Sequence, residues 1–366
     1  MRPLTKRLLA ILFPISLVLP SASVLLPITP VEIENRRLEF PEISIERLIE
    51  PGFYQKAFEY VRDGSPMRVW LVKLGTGLDY WVFDDSPNPT EVFKGRDDWL
   101  FFRETVDNAC SEPPDVVAEN LEMFASRLAE DVPTVVVTVA PSKFVVHPEH
   151  LTEAQMELTR CGHEASQELR ALLASSRLAH YIDSWAIFQR LKEEGVQPYF
   201  RTDTHFNYEG SIPWIQSIVG ELADIWDPSA VEDQGHHDFV GNLMRFLALQ
   251  YPERVKNVIV DRGLQRQPIA GDLFTTRRYR PSVSDETPVI EEQTLVIGDS
   301  FMRLPEPSLV QYFRNITVTD WGDPASVRDF IIEAPSSDIV IIEVSELDIW
   351  STFADTRLLE MYEAEQ

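Results

Sequence analysis

Four runs rich in β-branched residues limit what this chain can fold into: VPTVVVTVA from Val132, TLVIG from Thr294, NITVTD from Asn315 and DIVIIEVS from Asp338. Runs of this kind mark strands buried on both faces of a parallel sheet. Parallel neighbours need long crossovers, and the segments between the runs have helical spacing. LEMFASRLAEDV puts Leu121, Phe124, Leu128 and Val132 three and four residues apart. HEASQELRALLASS, from His163, is a second amphipathic helix, and LAHYIDSWAIF supplies a short strand ending near Asp183. Ile215, Ile218, Val219 and Leu222 line one face of a third helix, with Pro213 in its first turn if Ser211 is the cap. A helix around Ser308 to Arg314 and another in SVRDFIIEA separate the last strands. Strands alternating with helices predict a three-layer α/β/α sandwich with a mostly parallel sheet.

The alternation fails across residues 227–292, which are rich in charge, proline and histidine and read as an insertion or cap over the sheet. The α/β domain is expected over 91–366, after a stalk and entry segment at 31–90 and a leader at 1–30. In the leader, Arg2, Lys6 and Arg7 precede an uncharged stretch from Leu8 to Val31, and the first acid is Glu32. That asymmetry places the N-terminus in the cytoplasm and the body outside. Leu8 to Ile28 is long enough to span a ~30 Å hydrocarbon core at ~1.5 Å per residue. Ser21-Ala22-Ser23 also has the small-residue pattern of a signal-peptidase site, so a retained anchor and a cleaved signal peptide are both consistent with it. In either case the body is exported.

A net charge of −26 argues against nucleic-acid binding, which needs a basic face. Two cysteines, Cys110 and Cys161, lie in the exported part, and an even count in an oxidising compartment points to a disulfide rather than two buried thiols. Their spacing is no zinc pattern. His236, His237 and Asp238 suggest a metal, but adjacent histidines point apart and no supporting cluster accompanies them. No metal or cofactor is expected.

The chemistry concentrates in two segments. TLVIGDSF carries Ser300 onto a tight turn at a strand end, and TDTHFNYEG places Asp203 and His205 just before a helix. Serine, histidine and aspartate are the parts of an acyl-transfer site. Residues two apart on an extended loop point the same way, so Asp203 and His205 can share one side of a cleft. The same residues have ordinary uses as well, Ser300 as a turn or cap and Asp203–His205 as a loop pair.

Joining the end of this chain to its beginning gives the order of SGNH (GDSL-type) esterases, with the nucleophile first and the Asp/His pair last. The order is therefore that of a circularly permuted SGNH domain. Together with the export segment, KGRDDWLFF, APSKFVVHPEHL, DTHFNYEGS, VGNLMRF, LVIGDSF and DIVIIEVSELDIW, it resembles the alginate O-acetyltransferase group (AlgJ/AlgX-like) from about Glu91 onward. No carbohydrate-binding module follows, so the short, anchored AlgJ-like branch is the closer match. The resemblance implies Ser300 as nucleophile, His205 as general base and Asp203 as the residue that orients it. It implies a polysaccharide acceptor and a membrane-bound acyltransferase as donor partner, with water as acceptor in an esterase and a non-catalytic scaffold as the rival readings. An oxyanion hole is expected from Gly322, with Ser345 standing in for an asparagine that EVSELD lacks. Losing one such donor typically costs ~100- to 1000-fold in rate. Lys143 and Arg303 are candidate contacts to an acidic sugar.

Overall fold

In the computed structural model, residues 66–264, 267–271, 275–280 and 287–365 are described, with shorter stretches between 31 and 57. The leader expected over 1–30 lies outside them, as do parts of the stalk and of the 227–292 segment. Among the described residues, no helix is long and apolar enough to cross a membrane. The chain divides into two units, one of residues up to Lys94 with Asn242–Tyr251, the other of Gly95–Gly241 with Pro252–Gln366.

In the first unit, β1 (Val31–Ile33) and β2 (Arg36–Leu38) form an antiparallel pair. A helix, α1 (Pro66–Trp81), touches β1. Its C-terminal end is fixed by Lys94, whose ammonium donates to the Tyr80 carbonyl at 3.0 Å and to Asp84.

The second unit carries the sheet. Besides the short strand Leu100–Phe102, its strands are β3 (Thr134–Ala140), β4 (His180–Ile182), β5 (Val231–Phe239), β6 (Glu253–Val260), β7 (Arg277–Tyr279), β8 (Ile290–Gly298), β9 (Phe313–Asp320) and β10 (Ile339–Ser345). Six of them run in the order β4-β3-β10-β8-β9-β7; the first five are parallel and β7 joins the edge antiparallel. Every residue of the central β10 is buried, so both faces of the sheet are covered. Pro114–Asp131, Pro324–Glu333 and Arg357–Glu365 pack together as one helical group. Ser184–Glu193, Tyr208–Leu222 and Glu306–Leu309 form the other. The result is the three-layer α/β arrangement that the β-branched runs demand. Val136, Val296, Val340 and Ile341 are fully buried, each contributing on the order of 1.5–3 kcal/mol of transfer free energy.

Parallel register brings Ala140, Gly298, Asp320 and Ser345 to one edge of the sheet, its C-terminal edge. Crevices outside that edge are where open α/β sheets place their sites.

Three details differ from the sequence reading. The helix Tyr208–Leu222 starts at an Asn207 cap, whose side chain accepts from the Gly210 N–H at 3.0 Å. Pro213 is therefore inside the helix rather than in a turn capped by Ser211. The helix expected to reach Arg314 is only Glu306–Leu309 plus a 3₁₀ turn, because the fully buried Phe313 already belongs to β9. Finally, the 227–292 segment gives the sheet its edge strand β7 and forms an antiparallel hairpin, β5–β6. Arg-Arg-Tyr is too short and too charged to reveal a strand by alternation.

Cys110 and Cys161 are bridged, with Cα atoms 5.9 Å apart. The bond joins the end of helix Arg103–Ala109 to the first turn of helix Arg160–Ala174. It closes a sequence separation of 51 residues, for which chain entropy gives a stabilisation of about 4 kcal/mol. Replacing both cysteines by serine is expected to lower the unfolding free energy by about that amount, as read from urea denaturation curves of the oxidised parent and the variant.

Candidate active site

The strand β8 ends at Gly298 because the next residues must turn. A side chain at Gly298 would meet Glu343 Oε2 at 2.8 Å and Met302 Cβ at 2.9 Å, so only glycine lets the chain turn this tightly. Asp299 then anchors the turn: its carboxylate accepts from the Phe301 N–H at 2.8 Å and from the Ser345 N–H at 2.6 Å. The Asp299 N–H donates to Glu343 Oε2 at 3.0 Å. Ser300 is thereby presented at the C-terminal edge of the sheet.

His205 and Asp203 approach from the other side on a loop closed by the Tyr199–Phe206 bridge. The two side chains do not meet through extended backbone. Asp203 Oδ1 accepts both the His205 backbone N–H at 3.1 Å and the ring Nδ1–H at 2.6 Å, an Asx-type turn that fixes chain and imidazole together. The other ring nitrogen, Nε2, lies 2.8 Å from Ser300 Oγ. Asp203, His205 and Ser300 thus form one continuous hydrogen-bonded chain. The Asp203 side chain is 8% exposed and that of His205 22%, so the carboxylate is shielded while the imidazole reaches the surface.

The loop is gripped from two sides by residues far away in sequence. Lys143 is 4% exposed, and its ammonium donates to the carbonyls of Leu100, Arg201 and Asp203 at 2.6, 2.7 and 2.9 Å. It also lies 5.1 Å from the Trp99 ring centroid and 5.4 Å from that of Phe101. Burial pulls this ammonium down to about 7, against the attraction of Glu253 and Asp203. On the amide side, Glu253 at the start of β6 accepts from the N–H groups of Arg201 and Thr202 at 3.0 and 2.8 Å and from the Thr202 hydroxyl. Gly241 completes the grip, since a Cβ there would lie 2.0 Å from the Thr202 carbonyl oxygen.

This placement corrects the expectation for Lys143. All three of its N–H groups are engaged with backbone inside the protein, so it supports the loop and does not face a sugar. Lys143→Met is expected to slow acylation of Ser300 by an activated ester ~100-fold, the scale of a ~1 Å misplacement. KM for the ester should stay near that of the parent. A parallel rise in KM would instead make Lys143 a substrate contact.

Of the two expected oxyanion donors, the Gly322 amide is engaged elsewhere and the Ser345 side chain is buried. The Gly322 N–H donates to Asp320 Oδ1 at 2.9 Å. Ser345 is 1% exposed at the end of β10, and its N–H is the one held by Asp299. The reason in both cases is a carboxylate at the sheet edge that captures the nearest amide. Arg303 pairs with Asp320 at 2.9 Å and keeps a 31% exposed side chain just after the Ser300 turn.

The floor of the site is rich in acids. Burial pushes Glu343 well up. Burial also pushes Glu346 up to about 7, opposed by hydrogen bonds from Ser166 and Ser142. Asp348 rises to about 7 through burial and the neighbouring Asp299.

His236 and His237 lie on β5. Among the described residues, His147, Glu149 and His150 bring ligand atoms within 4.8 Å of one another. Lys192 Nζ sits 2.9 Å from Glu149, a cation that any metal would have to displace. We assign this group no metal.

Glu253 had no functional signal in the sequence, and Gly241 entered only as part of the VGNLMRF motif, with no role of its own. Hydrogen bonds to backbone and close backbone approach leave no motif behind.

The family described as the SGNH hydrolase-like domain of acetyltransferase AlgX matches residues 92–315, a span that contains Asp203, His205 and Ser300. A probable alginate O-acetylase AlgJ from Pseudomonas fluorescens is 27% identical over 176 residues, 47% of this chain and 43% of the relative. The match therefore spans less than half of that relative's length. The solved O-acetyltransferase domain of Pseudomonas putida AlgJ is 19% identical, with a TM-score of 0.46 over 75% of this chain and 99% of that one. Bacillus cereus PatB1 is 15% identical, with a TM-score of 0.47 over 72% of this chain and 98% of that one.

Proposed function

The chain belongs to the family of the SGNH hydrolase-like domain of acetyltransferase AlgX, and from that premise we propose that it O-acetylates a polysaccharide through an acetyl-Ser300 intermediate. The observation that carries the reading is the unbroken chain Asp203–His205–Ser300. In the first half-reaction Ser300 Oγ bonds to the donor's acetyl carbon while its proton passes to His205 Nε2. The donor's leaving group departs with that proton. In the second, a sugar hydroxyl gives its proton to His205 and attacks the acetyl carbon, and Ser300 leaves and is reprotonated. Asp203 holds the imidazole in the required tautomer and stabilises the imidazolium. No metal or cofactor takes part.

The leader's charge asymmetry places this chemistry outside the cytoplasmic membrane, with the chain anchored or released by cleavage. The acetyl donor is a membrane-bound acyltransferase partner. The relative named as an alginate O-acetylase makes an acidic polysaccharide the first acceptor to try. Arg303, beside the nucleophile turn, is the cation suited to its carboxylates.

The test is to load Ser300 with an activated acetyl ester and follow the acetylated protein by intact mass with and without acidic oligosaccharide. The expected outcome is faster discharge with oligosaccharide and the appearance of acetylated sugar. Discharge by water alone, unaffected by any sugar, would make the protein an esterase. Absence of labelling with every donor would make it a scaffold.

A further inference from the structure

Fifteen large apolar side chains are exposed among the described residues, and six of them fall between Leu71 and Phe83. Leu71, Leu74, Leu78 and Trp81 are 44–53% exposed, and Val82 and Phe83 beyond the helix are 65% and 70% exposed. Spacings of three, four and three residues put the first four on one narrow stripe of α1. On the same helix Tyr80 is fully buried, so the helix packs against the protein away from the stripe. Scattered exposed leucines need no explanation, but a contiguous stripe marks an interaction surface.

The partner is indicated by where α1 sits. It touches β1, and β1 begins at Val31, the last residue of the uncharged stretch that follows Arg2, Lys6 and Arg7. The helix therefore lies beside the point where the chain leaves the bilayer. Its own charges are two basic residues, Arg68 and Lys73, and one acid, Asp79, within a chain of net charge −26. Aromatic residues at one end and a slight basic excess suit the headgroup boundary.

We propose that the Leu71–Leu74–Leu78–Trp81 face of α1 lies in the membrane surface as an interfacial helix. The proposal rests on the export reading above, and its test separates the two. The only two cysteines of the chain are bonded to each other, so a single introduced cysteine takes a spin label selectively. The full chain is labelled one site at a time in nanodiscs of phosphatidylethanolamine and phosphatidylglycerol, at Leu17, at Leu71, Leu74, Leu78 and Val82, and at Lys73, Thr76 and Asp79. Accessibility to oxygen and to a water-soluble nickel chelate is then measured.

The expected result is a period of three to four residues along α1. Stripe positions should be several-fold more accessible to oxygen than to nickel, and positions 73, 76 and 79 the reverse. Nickel access at all α1 positions would overturn the proposal. Stripe labels shielded from both reagents would overturn it too, by revealing a protein partner or a second copy. The Leu17 label reports separately on the leader: lipid exposure there with a wet stripe refutes the helix and leaves the anchor standing, whereas a cleaved or wet Leu17 refutes the anchor. Lipid-side stripe labels support the proposal with or without the leader.

Discussion

Ser300→Ala is expected to abolish formation of an acetyl-enzyme while leaving the fold intact. On the proposed mechanism Ser300 Oγ is the atom that takes the acetyl group, and it lies 2.8 Å from His205 Nε2. An alanine keeps the Cβ and the turn, whose anchors belong to Asp299 and its partners Phe301 and Ser345, not to the serine side chain. The loss should therefore be chemical rather than structural. Intact mass after exposure to an activated acetyl ester is the measurement, with the urea midpoint as the control for folding. Mono-acetylation that persists in Ser300→Ala at the parent's rate would remove Ser300 as nucleophile.

Asp203→Asn is expected to slow acylation by ~10,000-fold, the scale seen when a triad aspartate is neutralised. One oxygen of Asp203 holds both the His205 backbone and its ring. Asparagine retains an oxygen for the backbone N–H, so the turn survives. It lacks the charge that stabilises the imidazolium, and its amide nitrogen can impose the opposite tautomer. Stopped-flow acylation should thus drop steeply while Tm moves little. A rate within tenfold of the parent would show that Asp203 only shapes the loop.

These side chains were legible in the sequence for a simple reason. Ser300 sits after an uninterrupted apolar strand, and Asp203 and His205 sit two apart, so strand-end chemistry and local turn chemistry both leave a readable trace. The central strands were legible because VVVTVA and IVIIEV have few alternatives to a buried parallel sheet. What stayed hidden is long-range. Lys143 and Glu253 act on backbone groups of residues 100 and 201–203, and a carbonyl or an N–H has the same sequence signature at every position. Lys143 therefore read as a contact to an acidic sugar. Gly322 and Ser345 were proposed from the permuted SGNH order, but that order does not say which amide a neighbouring carboxylate will take. β7 was invisible because an edge strand of three residues gains its stability from pairing with β9, not from its own composition.

The grip of Glu253 has a consequence for anyone wishing to shrink this protein. The β5–β6 hairpin stands outside the six-stranded sheet and looks like a natural segment to trim. Yet Glu253 is the acceptor for two amides and a hydroxyl of the loop that carries Asp203 and His205. A minimal version lacking the hairpin would retain Asp203, His205 and Ser300 and lose the anion that holds the loop carrying two of them. Engineering a compact catalyst from this scaffold therefore requires a replacement acid at that position, or a loop rebuilt to need none.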